Sequence, residues 1–123
     1  MHKIAITLMN ILKEINDKMG HLAGDTLIIG ASYVLQEIFA DNSYRIGGDE
    51  FVVIEQDVLE SEFYSKYEML LKRMKELEIS VATGYIWKER CLNLSEILQA
   101  ADQKMYEDKK RYYSIAQKDQ RRR

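Results

Sequence analysis

The chain has 123 residues, one domain in length and enough for a single core. Its 18 basic and 20 acidic residues leave a net charge of −2, so nothing overall draws it to nucleic acid or an anionic membrane surface. No apolar run approaches the roughly 20 residues of a bilayer span, Ile4 to Leu12 is broken by Thr7 and Asn10 with no cleavage site after it, and the lone Cys91 excludes an internal disulfide and suits a reducing cytoplasm.

Lys3 to Leu8 reads as a strand, with Ile4, Ile6 and Leu8 alternating with Ala5 and Thr7. Ile11, Leu12 and Ile15 follow at helical spacing, until Gly20 and Gly24 interrupt. Asp25 is placed to cap a second helix, along which Leu27, Ile28, Ala31, Val34, Leu35 and Ile38 recur every three or four residues. Asp41, Asn42 and Ser43 make a turn cluster. Two short β-runs, Tyr44 to Ile46 and Asp49 to Ile54, flank Gly47-Gly48, a hairpin signal because such turns need positive φ. Phe63, Tyr67, Leu70, Leu71, Met74 and Leu77 form one helical stripe from about Leu59 to Leu77. Ile79 to Trp87 is β-rich, and a last helix starts near Ser95, its expected N-cap, and runs through Ile97, Leu98, Ala101, Met105 and Tyr106.

The expected order is β-α-α-β-β-α-β-α, an α/β (α+β) fold with a mixed sheet flanked by helices, of ferredoxin-like plan with one helix added. The domain is expected over residues 1–113. Residues 114–123, with Lys118, Arg121, Arg122 and Arg123 against Asp119, are expected to form a frayed basic C-terminal tail.

Three segments carry chemistry: Lys13-Glu14-Ile15-Asn16-Asp17, Gly20-His21 with Gly24-Asp25, and Arg45-Ile46-Gly47-Gly48-Asp49-Glu50-Phe51. Glycines at a hairpin tip let a ligand's phosphates come close. The adjacent acids Asp49 and Glu50 repel each other, and a divalent cation relieves this, since Mg²⁺ takes one or two carboxylates plus phosphate oxygens. The alternative is a solvated turn carrying two surface acids.

These segments resemble the GGDEF domain family, bacterial diguanylate cyclases that join two GTP molecules into cyclic di-GMP. The signature stands unaltered at Gly47 to Phe51, and the Lys-x-x-Asn-Asp-x-x-Gly-His-x-x-Gly-Asp block stands at Lys13 to Asp25. Ser80 to Gly84 and Ala101-Asp102-x-x-Met105-Tyr106-x-x-Lys109 are similar to the family's fourth strand and last helix. The resemblance implies a nucleotidyl-cyclase-type fold and a role for each site residue. Asn16 and Asp25 would read the guanine edge, an amide and a carboxylate matching its mixed donors and acceptors. Gly47 and Gly48 would make room for the α-phosphate. Lys13 and Lys109 would neutralise the β- and γ-phosphates. Asp49 would ligate Mg²⁺ (or Mn²⁺), with the Met9 backbone carbonyl beside it. Glu50 would be a second ligand or help activate the ribose 3′-hydroxyl. His21 has the better fit to a structural role. In the family each domain holds one GTP, so catalysis needs a second GGDEF domain face to face. The family also implies a sensor or effector domain of unknown kind, within a cytoplasmic signalling protein.

Several positions depart from the family pattern. Leu8 stands where the first strand carries a metal-bridging aspartate, so metal binding is expected to be weakened, and Thr7 points to the opposite face. Tyr113 stands where an arginine often follows the phosphate lysine. Ile38 replaces the arginine of the product-inhibition Arg-x-x-Asp, leaving Asp41, so feedback binding there is not expected. The family's usual helix with an Asp-x-Leu-Thr motif is not found ahead of the first strand. Three functions stay open: an active cyclase, a GTP-binding domain that does not turn its ligand over, and an interaction or dimerisation module.

Overall fold

The computed structural model describes residues 3–12, 20–91 and 93–121, and the side chains of 20–24 and 116–121 are not included. The first strand, β1 (Ile4–Ile11), is buried along its whole length: it is central, between β3 (Glu50–Gln56) and β4 (Val81–Lys88), and side chains from helices pack on both of its faces. Ile11 therefore belongs to the strand and not to a helix, its N–H donating to the Asp49 carbonyl at 2.8 Å. A strand covered on both faces reads as a nearly continuous apolar run, which blurs the period-2 signal.

Among the described residues, one helix, α1 (Gly20–Phe39), lies between β1 and β2 (Ser43–Gly47), followed by a single 3₁₀ turn at Ala40–Asn42. The expected first helix falls partly on residues 13–19, outside the described residues. Gly24 does not break α1, and Asp25 lies inside it instead of capping it. The burial of Ala31, Val34, Leu35 and Phe39 outweighs a glycine cost of about 1 kcal/mol. The sheet order is β2-β3-β1-β4, and every neighbouring pair is antiparallel. The sheet is thus not mixed: each crossover helix skips a position, so the parallel strands β1 and β2, or β3 and β4, never touch.

Both faces are covered, which makes this an α+β sandwich. Ala5, Met9 and Ile11 face a core with α1 and α2 (Glu60–Glu76), built on Phe39, Phe63, Leu70 and Met74. Ile4, Ile6, Leu8 and Leu12 face the other way, onto Ile97, Ala101 and Met105 of α3 (Leu94–Arg121). Glu60 and Glu62 in the first turn of α2, with Arg73 and Lys75 in the last, suit its dipole. The N-terminus of α3 is capped by Asn93, not Ser95: Asn93 Oδ1 accepts from the N–H groups of Ser95 at 3.0 Å and Glu96 at 3.4 Å. The helix does not stop near Tyr106 but runs to Arg121, so most of the stretch expected as a frayed tail continues α3. Its sequence has no Gly or Pro to end it.

Candidate active site at the β2–β3 hairpin

The turn residues at the hairpin tip are Gly48 and Asp49, one position beyond the expected Gly47-Gly48, because Gly47 pairs across the strands with Glu50 and the ladder shifts register between Arg45 and Gly47. Gly47 has φ +155° and Gly48 φ +43°, and a Cβ at either would meet open space. Conformation alone therefore demands glycine at these two positions, which carry no side-chain carbon. Arg45 folds back over the tip, its Nε donating to the Gly48 carbonyl at 2.9 Å. The sequence reading gave Arg45 no role, although its position just before the paired glycines was a usable signal.

Directly opposed residues in an antiparallel pair share a face. Leu8 lies opposite Val52 on one side and Gly84 on the other, and Asn10 lies opposite Glu50 and Ala82. Leu8, Asn10 and Glu50 therefore share the α3 face of the sheet. Leu8 is 6% exposed, packed in the cluster of Ile6, Leu12, Val52, Ala82, Ile86 and Met105, while Asn10 is 8% exposed. Asp49 and Glu50 are half-buried. The N–H of Ile11 donates to Asp49 and that of Asp57 to Lys3, which sets the odd residues of β1 to bond with β3. The Met9 carbonyl thus points towards Phe51 in the ladder, and its side chain fills the opposite core.

The remaining candidates are spread over the surface or undescribed. Asp25 is exposed on α1. Lys13 and Asn16 lie outside the described residues. Lys109, on α3, lines a concavity of about 360 Å³ with Tyr106, Lys110, Tyr113 and Ser114, and Lys110 Nζ sits 5.3 Å from the Tyr106 ring centre. Ile38 packs against the α1/α2 core, and Asp41 lines a separate concavity of about 280 Å³ with Arg45, Tyr44, Gln36 and Ser32.

A network that spacing did not reveal links α2, β4 and α3. The Tyr67 hydroxyl and Thr83 Oγ1 are 2.6 Å apart, and the Thr83 N–H donates to Asp108 Oδ2 at 2.9 Å. Burial pushes the Tyr67 phenol up from its usual value, against the Thr83 bond that lowers it. Tyr85, packed against Phe63, Tyr64 and Tyr67, is also pushed up by burial, and its hydroxyl has no hydrogen-bond partner among the described residues.

The family profile described as "Diguanylate cyclase, GGDEF domain" matches residues 2–113. The chain belongs to the GGDEF family. This GGDEF domain is 33% identical over 127 residues to the signaling protein YkoW of Bacillus subtilis, covering 88% of the chain and 16% of that protein. It is 31% identical over 102 residues to the probable diguanylate cyclase DgcI of Escherichia coli, covering 80% of the chain and 23% of that protein. It therefore spans less than a quarter of either relative. The active GGEEF domain of a diguanylate cyclase from Vibrio cholerae has the same fold, with a TM-score of 0.74 at 21% identity over 89% of this chain and 78% of that one. The fold and motifs are thus those of diguanylate cyclases, which make cyclic di-GMP. No helix among the described residues is long and apolar enough to cross a membrane.

Members of this family typically use Mg²⁺. Among the described residues no three His, Cys, Asp or Glu side chains are grouped to hold a metal ion. Asp49 and Glu50 fit a cation that also binds a triphosphate, since Mg²⁺ is commonly held by one or two carboxylates and phosphate oxygens. Leu8 places hydrocarbon, not a carboxylate, on the face that Glu50 shares.

Proposed function

We propose that this GGDEF domain binds GTP at the hairpin tip and cyclises it at most slowly, serving as a nucleotide-responsive signalling module. The carrying observation is Leu8, buried among apolar side chains on the face of Glu50. In this reading Gly47 and Gly48 admit the α-phosphate, Asn16 and Asp25 read guanine, and Lys13 and Lys109 neutralise the distal phosphates. Asp49 and Glu50 hold Mg²⁺ together with the triphosphate, and the bound ion would offset phosphate charge. The direction of β2 supports this grouping: it runs back along α1 from the Ala40–Asn42 turn, bringing its glycine end towards the half of α1 that carries Asp25.

The reaction of the family needs the 3′-hydroxyl of one GTP to attack the α-phosphorus of another, with pyrophosphate leaving. A second GGDEF domain supplies the other nucleotide, and a sensor or effector domain supplies the signal. Groups that merely orient metal ligands typically contribute about 10- to 100-fold in metal affinity or activity, so the loss of a ligating carboxylate is expected to suppress turnover by at least that much. Calorimetry with GTP and Mg²⁺, beside chromatography of the products, tests this. GTP binding with little cyclic di-GMP is expected. Rapid product formation would instead favour a working cyclase, and no binding would favour a docking module.

A further inference from the structure

We propose that Asp108 is a positioning residue: by holding the Thr83 amide it fixes the part of α3 that carries Lys109, and so the place where the triphosphate is received. This rests on GTP binding through Lys109.

The outer strand β4 has β1 on one side only. The N–H of Leu12 donates to the Ser80 carbonyl, so the even residues of β4 bond to β1 and Thr83, Tyr85 and Trp87 turn outwards. Two side chains of α3, one helical turn apart, meet this outer row. Asp108 Oδ2 accepts the Thr83 N–H at 2.9 Å, and Lys104 Nζ donates to the Tyr85 carbonyl at 3.3 Å. Between them Gly84 lets the helix backbone settle directly on the strand: a Cβ there would collide with the Ala101 carbonyl and stand 2.8 Å from the Met105 nitrogen. The helix is thus seated at Ala101–Met105 and pinned at 104 and 108, and Lys109 is the next residue. Thr83 also meets the Tyr67 hydroxyl, so the same point is held from α2. Asp108 also forms an ion pair with the mostly exposed Arg111, which at 3.9 Å is long and screened.

Two effects of Asp108 on a bound triphosphate have opposite signs, which makes the idea testable. As a charge it repels phosphate, so its removal would tighten GTP binding. As a pin it orders Lys109, so its removal would weaken GTP binding. Asp108→Asn keeps an oxygen for the Thr83 N–H while losing the charge. We expect Asp108→Ala to weaken GTP binding about three- to tenfold, Asp108→Asn to bind GTP at least as tightly as the unaltered chain, and guanosine affinity to be equal in all three. Equal or tighter GTP binding by Asp108→Ala, or a matching loss for guanosine, overturns the proposal. Amide exchange on the unaltered chain gives a second measurement, independent of the folding of any variant: GTP should slow exchange at Thr83, and no change there overturns it. If the unaltered chain binds no GTP, the proposed function fails and this inference with it. If it binds GTP but the Asp108 results go the wrong way, only this inference fails.

Discussion

Leu8→Asp is the most informative single change. Leu8 is 6% exposed, so the substitution removes a packed side chain and buries a carboxyl group. Losing the hydrocarbon costs about 2–5 kcal/mol, and the unsatisfied polar group adds to that, a large part of the roughly 5–15 kcal/mol of a typical domain. Burial would hold the new carboxyl above the ordinary aspartate value of about 3.9. The unfolded chain would then lose its proton first, so stability should fall as pH rises through that range. Divalent cation should reverse the loss. Leu8 and Glu50 are diagonal neighbours on one face, with side-chain roots about 7 Å apart, a gap a cation can bridge. A cation with GTP at a hundred times its dissociation constant would return about 2.7 kcal/mol. The assays are thermal melting across pH with and without Mg²⁺ and GTP, and chromatographic measurement of cyclic di-GMP. The variant should melt lower without Mg²⁺, recover with it, and form product about 10- to 100-fold faster than the parent. The reasoning is refuted if Mg²⁺ leaves the variant's melting unchanged, or if the parent already makes product as fast.

Other expectations concern the frame around the site. Gly84→Ala should cost about 3 kcal/mol, because the methyl group meets helix backbone that cannot yield without unseating α3, and urea denaturation will measure it. Above about pH 10 stability should fall, since the Tyr67 and Tyr85 phenols are raised in the fold and ionise first in the unfolded chain. Tyr85→Phe should flatten that alkaline slope in pH-dependent melting while leaving neutral stability equal or slightly higher, since it removes a buried hydroxyl without a partner among the described residues. Lys66→Ala should destabilise by about 1–2 kcal/mol in chemical denaturation, because among the described residues buried Glu55 would keep only its 3.1 Å bond from Asn42.

The fold was legible wherever a pattern had one face to obey. The α2 stripe from Phe63 to Met74 lies where its spacing put it, and the glycine-marked hairpin turns one position later than expected, at Gly48-Asp49. The pattern misled where both faces are buried or where packing overrules propensity. Ile11 read as helix because a doubly covered strand has no polar alternation, and Gly24 read as a breaker although the apolar stripe continues beyond it. The cap moved from Ser95 to Asn93 because either residue type can do that work and only geometry chooses. For the site, the motif gave Asp49 and Glu50, but the shared face of Leu8, Asn10 and Glu50 follows from register, which short-range spacing does not encode. Asp108 was hidden because its partner is a backbone N–H 25 positions away in sequence.

The two outer rims of the sheet also set how copies of this chain can meet. On one rim, side chains from α3 occupy the groups at Thr83 and Tyr85 that an incoming strand would need. On the other, β2 is only five residues long and its ladder is offset near the glycine tip. Short, irregular or plugged rims discourage edge-to-edge growth and the fibrous aggregation that follows from it. A second copy of this chain would therefore have to approach through the helices or the hairpin tip and not by extending the sheet.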